Sequence, residues 1–133
     1  MNSQRYISSA VMTVTLVVWL GGSTAVRAES VDGSNNAVAT NTLGSVTGTD
    51  NSAYGDGALG LLTTGSRNSA FGRAALGSAR ISEDSSAFGF GALRLNLGSR
   101  NSAHGANALR SNTSGSANNA FGYGALGQNT GGL

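Results

Sequence analysis

Asn68 to Gly77 reads NSAFGRAALG, and nearly the same ten residues return as SSAFGFGALR (Ser85 to Arg94) and NNAFGYGALG (Asn118 to Gly127). This phrase opens a unit of 16 or 17 residues that occurs six times without gaps. The six units are Asn35–Asp50, Asn51–Arg67, Asn68–Asp84, Ser85–Arg100, Asn101–Ala117 and Asn118–Leu133. A period this short is typical of a stacked solenoid, in which each unit forms one coil.

Four positions of the unit hardly vary. The third is always alanine, the fourth is large, the fifth is glycine in five units, and the ninth is always leucine. A single coil cannot bury its apolar face, but the coils above and below it complete a core. We therefore predict two inward-pointing core ladders, one of fourth-position residues (Val38, Tyr54, Phe71, Phe88, His104, Phe121) and one of leucines (Leu43, Leu59, Leu76, Leu93, Leu109, Leu126).

The predicted fold class is all-β: a short-repeat parallel β-solenoid or β-roll of about six coils of 16–17 residues, associated as a trimer. The fixed glycines allow the chain to turn, and the first-position asparagines can bond along the stack as in cross-β structures. A helical alternative is disfavoured, because each recurring glycine costs a helix about 1 kcal/mol. Disorder is the other alternative, since Gly, Ser and Asn abound, but a disordered chain has no reason to keep one leucine per unit.

Residues 1–28 have the layout of a secretory signal peptide. Arg5 provides the positive start, an apolar run extends from Ala10 to Leu20, and Val26-Arg27-Ala28 fits a cleavage site after Ala28. The apolar run is short for a transmembrane span, so a cleaved leader is favoured over the alternative of an uncleaved membrane anchor, and we expect no span in the mature chain. The expected organisation is a signal peptide (1–28), a short linker (29–34) and a repeat domain (35–133).

Removal of the leader brings the net charge of the chain to zero. The eight basic residues are all arginines, and Arg5 and Arg27 leave with the leader, so that six arginines then balance the six acidic residues. A neutral chain has no electrostatic footprint for nucleic acid, and we expect no nucleic-acid partner. The absence of cysteine excludes disulfides and a lipid-modified cysteine.

No pattern in the sequence predicts catalysis, a cofactor or a metal site, and we expect the protein not to be an enzyme. Gly55–Gly60 and Gly122–Gly127 match G-x-G-x-x-G, but the nucleotide-binding motif needs a strand–helix crossover that a 17-residue unit cannot hold. His104 is the only histidine and occupies a ladder position. Glu83 and Asp84 are interpreted as a solvated loop, and Asn112-Thr113-Ser114 as a glycosylation sequon that matters only in a glycosylating host.

Two arginines, Arg94 and Arg110, share the tenth position of consecutive units and should lie one coil apart, about 4.8 Å along the stack. Such a row could hold an anionic sugar or matrix protein, although charges of this kind more often keep a surface soluble and prevent mispairing.

The phrase N-[ST]-A-[large]-G-x-x-A-L resembles the head repeats of trimeric autotransporter adhesins, the YadA-like group. The resemblance covers Asn35 to Leu133 and implies a left-handed parallel β-roll with three chains side by side. The repeats of this chain also resemble, more weakly, those in the shafts of phage tail fibres. The family's repeat is nearer fourteen residues, so the longer unit implies an extra loop or a different cross-section.

These observations lead to an expected function. The chain is predicted to be an exported bacterial cell-surface protein, structural or adhesin-like, located at the cell surface or outer membrane or secreted. It should form a homotrimer and offer a passive binding surface for a host-surface or matrix ligand. The alternatives are a shaft fragment of a phage-type tail fibre and a secreted repeat protein that binds polysaccharide.

Overall fold

The computed structural model describes residues 36–38 and 48–132. These residues form an all-β parallel solenoid with about four turns of about 17 residues, and they include no helix. The predicted all-β parallel solenoid is therefore confirmed, whereas the trimer and the count of six coils stay predictions. The leader, the linker and most of the first unit lie outside the described residues. The strands are β1 Asn36–Val38, β2 Ser52–Tyr54, β3 Ser69–Phe71, β4 Ser86–Phe88, β5 Ser102–His104 and β6 Asn119–Phe121.

The six strands form one parallel sheet in sequence order, each paired with the strand of the next unit. The register pairs Ser69 with Ser86 and Phe71 with Phe88, so equivalent residues of successive units lie side by side. Neighbouring residues of a strand point to opposite faces of the sheet. The central alanine of each strand from β2 to β6 is buried, and the residues on either side of it face outward.

This alternation corrects the predicted aromatic core ladder. Tyr54, Phe71, Phe88 and Phe121 are exposed, and His104 is half-buried. The fourth residue follows an alanine that faces inward, so its own side chain must face outward. The side chain of Val38 and the whole of Leu43 lie outside the described residues.

The predicted leucine ladder is confirmed in four turns. Leu59, Leu76, Leu93 and Leu109 are fully buried, whereas Leu126 in the last described turn is about half exposed. The eighth-position alanines pack beside them in the same cluster, namely Ala58, Ala75, Ala92 and Ala108. The apolar part of the interior is therefore built from alanine and leucine.

Every one of these leucines has a left-handed backbone, with φ of 48° to 51°. Left-handed geometry costs an ordinary residue about 1–2 kcal/mol, whereas burial of a leucine side chain contributes about 1.5–3 kcal/mol. The burial offsets the strain, which explains why a turn position that suits glycine holds leucine. The leucine amide also bonds to the next turn, as in Leu76 N–H to Ala92 O at 2.9 Å.

Buried asparagines form the predicted ladder at one corner of the stack. Asn68 Nδ2 donates to Asn51 Oδ1 at 3.0 Å, and Asn118 Nδ2 donates to Asn101 Oδ1 at 3.2 Å. Ser85 takes the asparagine position in the unit between them and donates its amide to Asn68 Oδ1. These bonds satisfy polar groups that would otherwise destabilise a dry interior.

A second asparagine ladder lies at the repeat position three residues after the ladder leucine. It was not predicted from the sequence. Asn112 Nδ2 donates to Asn96 Oδ1 at 2.7 Å, and Asn129 Nδ2 donates to Asn112 Oδ1 at 3.3 Å. The same row holds Leu62 and Ala79 in the earlier turns, which hides it in the sequence. This one row of the interior therefore changes from apolar in the earlier turns to hydrogen-bonded in the later ones.

Candidate functional site

The outer face of the sheet carries one continuous aromatic row. We call Tyr54, Phe71, Phe88, His104 and Phe121 the aromatic ladder. Their rings stack face to face, with centroids 5.1, 4.9, 4.8 and 4.8 Å apart and interplanar angles between 2° and 18°. The parallel in-register pairing imposes this stacking, because each ring lies directly above its counterpart in the next turn.

The rings of the aromatic ladder stabilise one another by stacking and still remain exposed to solvent. Stacked aromatic pairs contribute about 0.5–1.5 kcal/mol each beyond the area they bury. Phe71 and Phe88 nevertheless remain 36% and 38% exposed, and Phe121 is 67% exposed. Contiguous exposed apolar surface of this kind is typical of an interaction site.

A column of charges occupies the last position of the first four units. Asp50, Arg67, Asp84 and Arg100 follow one another there, so the sign alternates from turn to turn. Arg67 Nε and Asp84 Oδ1 lie 2.5 Å apart, and Arg67 Nη2 donates to Asp84 Oδ2 at 3.0 Å. The hydrogen bond from Arg67 lowers the pKa of Asp84. Slippage by one turn would place like charges together, so the column favours the observed register.

The predicted acidic loop is exposed as expected, and one of its carboxylates also forms an ion pair that the sequence pattern of this loop alone does not indicate. Glu83 and Asp84 are both exposed, and Asp84 bonds to Arg67 one turn away. The alternation of sign at one repeat position was the signal that could have revealed this pairing.

A groove runs over the turns that follow β2 to β5. It encloses about 370 Å³ and is lined by Asp56, Gly57, Arg73, Ala74, Phe90, Gly91, Arg94, Asn107 and Arg110. A second groove of about 530 Å³ continues from it, since Asn107 and Arg110 line both. Arg94 and Arg110 are brought together as the sequence predicted. We call the two grooves together the arginine trough.

Charges in the arginine trough are unevenly paired. Arg73 forms an ion pair with Asp56 at 3.5 Å, and its guanidinium lies 5.8 Å from the centroid of the Phe90 ring. Arg94 and Arg110 form no ion pair with any residue that the structure describes. The trough therefore has one neutralised arginine and two uncompensated ones.

The remaining motifs fall into the architecture of the repeat. Gly55–Gly60 and Gly122–Gly127 form turns of the coil, and no helix follows either of them among residues 48–132. In the described part of the chain, acidic residues and His104 do not gather in a group of three or more that could hold a metal ion. No helix there is long and apolar enough to cross a membrane.

Comparison with known proteins found no matching family model, no matching curated protein and no matching solved structure.

Proposed function

We propose that this chain is an exported, non-catalytic repeat protein of the bacterial cell surface. In this proposal its solenoids associate side by side into a trimer through the aromatic ladder. The outward surfaces of the assembly then serve as a passive, adhesin-like binding platform. The observation that carries the proposal is the exposed aromatic ladder on a rigid, periodic stack.

A second copy of the same chain is the partner that fits this ladder best. The rings recur every 4.8 to 5.1 Å, and a surface with the same spacing along its whole length is another parallel stack. Identical chains also associate by closed symmetry, which limits growth into filaments. The number three comes from the resemblance to the trimeric adhesin heads, whose β-roll architecture is compatible with this solenoid.

The strand serines add polar contacts to the same face. Ser52, Ser69, Ser86 and Ser102 flank the buried alanines and are partly exposed beside the rings. A row of hydroxyls next to a row of aromatic rings gives an apolar strip with a hydrogen-bonding border, the pattern of many protein interfaces.

The trimer proposal predicts the sedimentation of two double variants. Phe71→Thr/Phe88→Thr removes two exposed rings and keeps β-branched residues that suit a strand. Because each buried ring contributes about 1.5–3 kcal/mol, we expect the wild type to sediment as a trimer and this variant as a folded monomer. Analytical ultracentrifugation measures both.

The matched control removes exposed apolar side chains from outside the aromatic ladder. Leu61 and Ile81 are 52% and 56% exposed, and Leu61→Thr/Ile81→Thr should remain trimeric. A folded wild-type monomer at micromolar concentration would contradict the proposal, and so would equal dissociation of the two double variants.

A further inference from the structure

We propose that the arginine trough is a binding site for a linear acidic oligosaccharide, with Arg94 and Arg110 holding its carboxylates. This inference goes beyond the proposed function, because it concerns residues outside the aromatic ladder.

The two arginines are not required by the coil. Glycine occupies their repeat position in the two preceding described turns, at Gly60 and Gly77, and in the following turn, at Gly127. Arg94 and Arg110 are nevertheless placed in successive turns, about 4.8 Å apart along the stack. Like charges at equivalent positions of adjacent turns repel each other. A bound carboxylate would relieve that repulsion through charge-assisted hydrogen bonds.

The backbone holds the trough in a fixed shape. Gly91 N–H donates to Arg73 O at 3.0 Å, Asn107 N–H donates to Phe90 O at 2.8 Å, and Leu95 N–H donates to Arg110 O at 3.0 Å. Each bond joins one turn to the next. A ligand would therefore meet preorganised walls, and little ordering cost would oppose its binding.

Asn107 also lines the trough, and its side-chain oxygen is an unsatisfied acceptor. Its Oδ1 is buried, and no residue of the described chain donates a hydrogen bond to it. An unsatisfied acceptor of this kind costs about 1–3 kcal/mol. The terminal torsion of asparagine is broad and nearly two-fold, so the carboxamide can turn its oxygen toward the trough. A sugar hydroxyl would donate to it there.

Phe90 supplies an apolar wall. The ring is 50% exposed, and Arg73 lies over one of its faces. The equivalent position in the next turn is Ala106, which is too small to cover the other face. Ligand sites typically combine such an apolar wall with a few placed polar groups. Cations, an acceptor and an aromatic face together match the carboxylates, hydroxyls and C–H face of a uronic-acid chain.

The trough is also long in the direction of the stack. It reaches from Asp56 in one unit to Asn129 four units later, which is about 19 Å at 4.8 Å per turn. That length suits a chain ligand better than a single small anion.

The test measures binding of a galacturonic-acid oligosaccharide by isothermal titration calorimetry at low salt. We expect saturable binding, and a loss of at least about tenfold in affinity for Arg94→Gln/Arg110→Gln, because charged hydrogen bonds are the strongest contacts. The matched control Arg80→Gln/Arg100→Gln removes the same net charge from exposed sites outside the trough and should keep the wild-type affinity within about twofold.

Asn107→Ala tests the acceptor separately. Alanine already occupies this repeat position at Ala74 with φ of 57°, close to the 59° of Asn107, so the variant should keep the fold. We expect it to bind the oligosaccharide about threefold to tenfold more weakly. An unchanged affinity would contradict the role of Asn107.

Three further probes decide what the trough recognises. The methyl-esterified oligosaccharide, inorganic sulfate and polyglutamate should each bind much more weakly than the acidic oligosaccharide. Equal binding of the ester would overturn the role of the arginines, and equal binding of sulfate or polyglutamate would overturn the carbohydrate assignment. Absence of saturable binding, or an equal loss in the charge-matched control, would overturn the proposal itself. Phe71→Thr/Phe88→Thr should still bind, which separates this test from that of the trimer.

Discussion

Leu93→Ala is expected to destabilise the protein by about 2–5 kcal/mol, the cost of truncating a fully buried leucine. The Leu93 side chain is inaccessible to solvent and packs with Ala92 in the interior of the coil. The substitution also leaves the left-handed backbone, with φ of 51°, without the burial that offsets it. Denaturant unfolding followed by circular dichroism measures the loss.

Leu97→Ala is the matched control for this prediction. Leu97 belongs to the same unit but is 46% exposed, so its truncation should cost less than about 1 kcal/mol. Similar losses for the two variants would mean that Leu93 does not point into the core.

Gly89→Ala is expected to destabilise the protein by more than about 3 kcal/mol or to prevent folding. Gly89 follows β4 with φ of 130°, a conformation that side chains rarely adopt. A Cβ there would lie 2.7 Å from the carbonyl carbon and oxygen of Gly105 in the next turn. Since the obstacle is backbone, the two turns would have to separate. The free energy of unfolding measures the effect.

Gly57→Ala is the control that separates the steric clash with the next turn from the cost of a positive φ. Gly57 also has a positive φ, of 69°, but apart from its chain neighbours no atom of the described residues lies within 4 Å of a Cβ placed there. This variant should lose only about 1–2 kcal/mol, the cost of a left-handed non-glycine residue. If Gly89→Ala were as mild as Gly57→Ala, the close approach of successive turns at this corner would be refuted.

The repeat period predicted most of the fold. Because equivalent residues recur every 16 or 17 positions, the invariant Leu and Ala residues had to fall in continuous rows, and the asparagines had to meet at one corner. The charge column at Arg67 and Asp84 was also present in the sequence. Its pairing follows only when Asp84 is compared with Arg67 at the same position of the preceding unit, and not with its neighbour Glu83.

The predicted inward orientation of the aromatic residues was wrong for a physical reason. A large residue at a constant position was interpreted as core, although it follows an alanine at an equally constant position. Strand alternation allows only one of the two to point inward, and the interior that Ala70 and Leu76 fill has no room for Phe71 as well. A constant position in the repeat therefore indicates that its side chains stack from turn to turn. In this fold such stacks occur on the outer surface of the coil as well as in its interior.

The arginine trough could be predicted only in part. The shared position of Arg94 and Arg110 was visible in the sequence, but their lack of ion-pair partners among the described residues depends on where Asp56 and Asp84 point. The unsatisfied oxygen of Asn107 depends on its packing against Gly91, where a Cβ would lie 2.9 Å from it. Such contacts between turns depend on side-chain conformation, which a repeat pattern does not specify.

The most direct test of the account is thiol crosslinking between successive turns, in a chain that has no cysteine of its own. Ser69 and Ser86 are parallel register partners, so about 4.8 Å separates their Cα atoms and also their Cβ atoms. Because a direct disulfide needs Cβ atoms about 3.5–4.5 Å apart, the test uses a short bifunctional thiol reagent that spans one turn, about 5 Å. Ser69→Cys/Ser86→Cys should therefore crosslink within one chain, as read by mass spectrometry. Ser69→Cys/Ser102→Cys, two turns apart, should not. Failure of the first pair, or equal yields from both, would contradict the parallel stack.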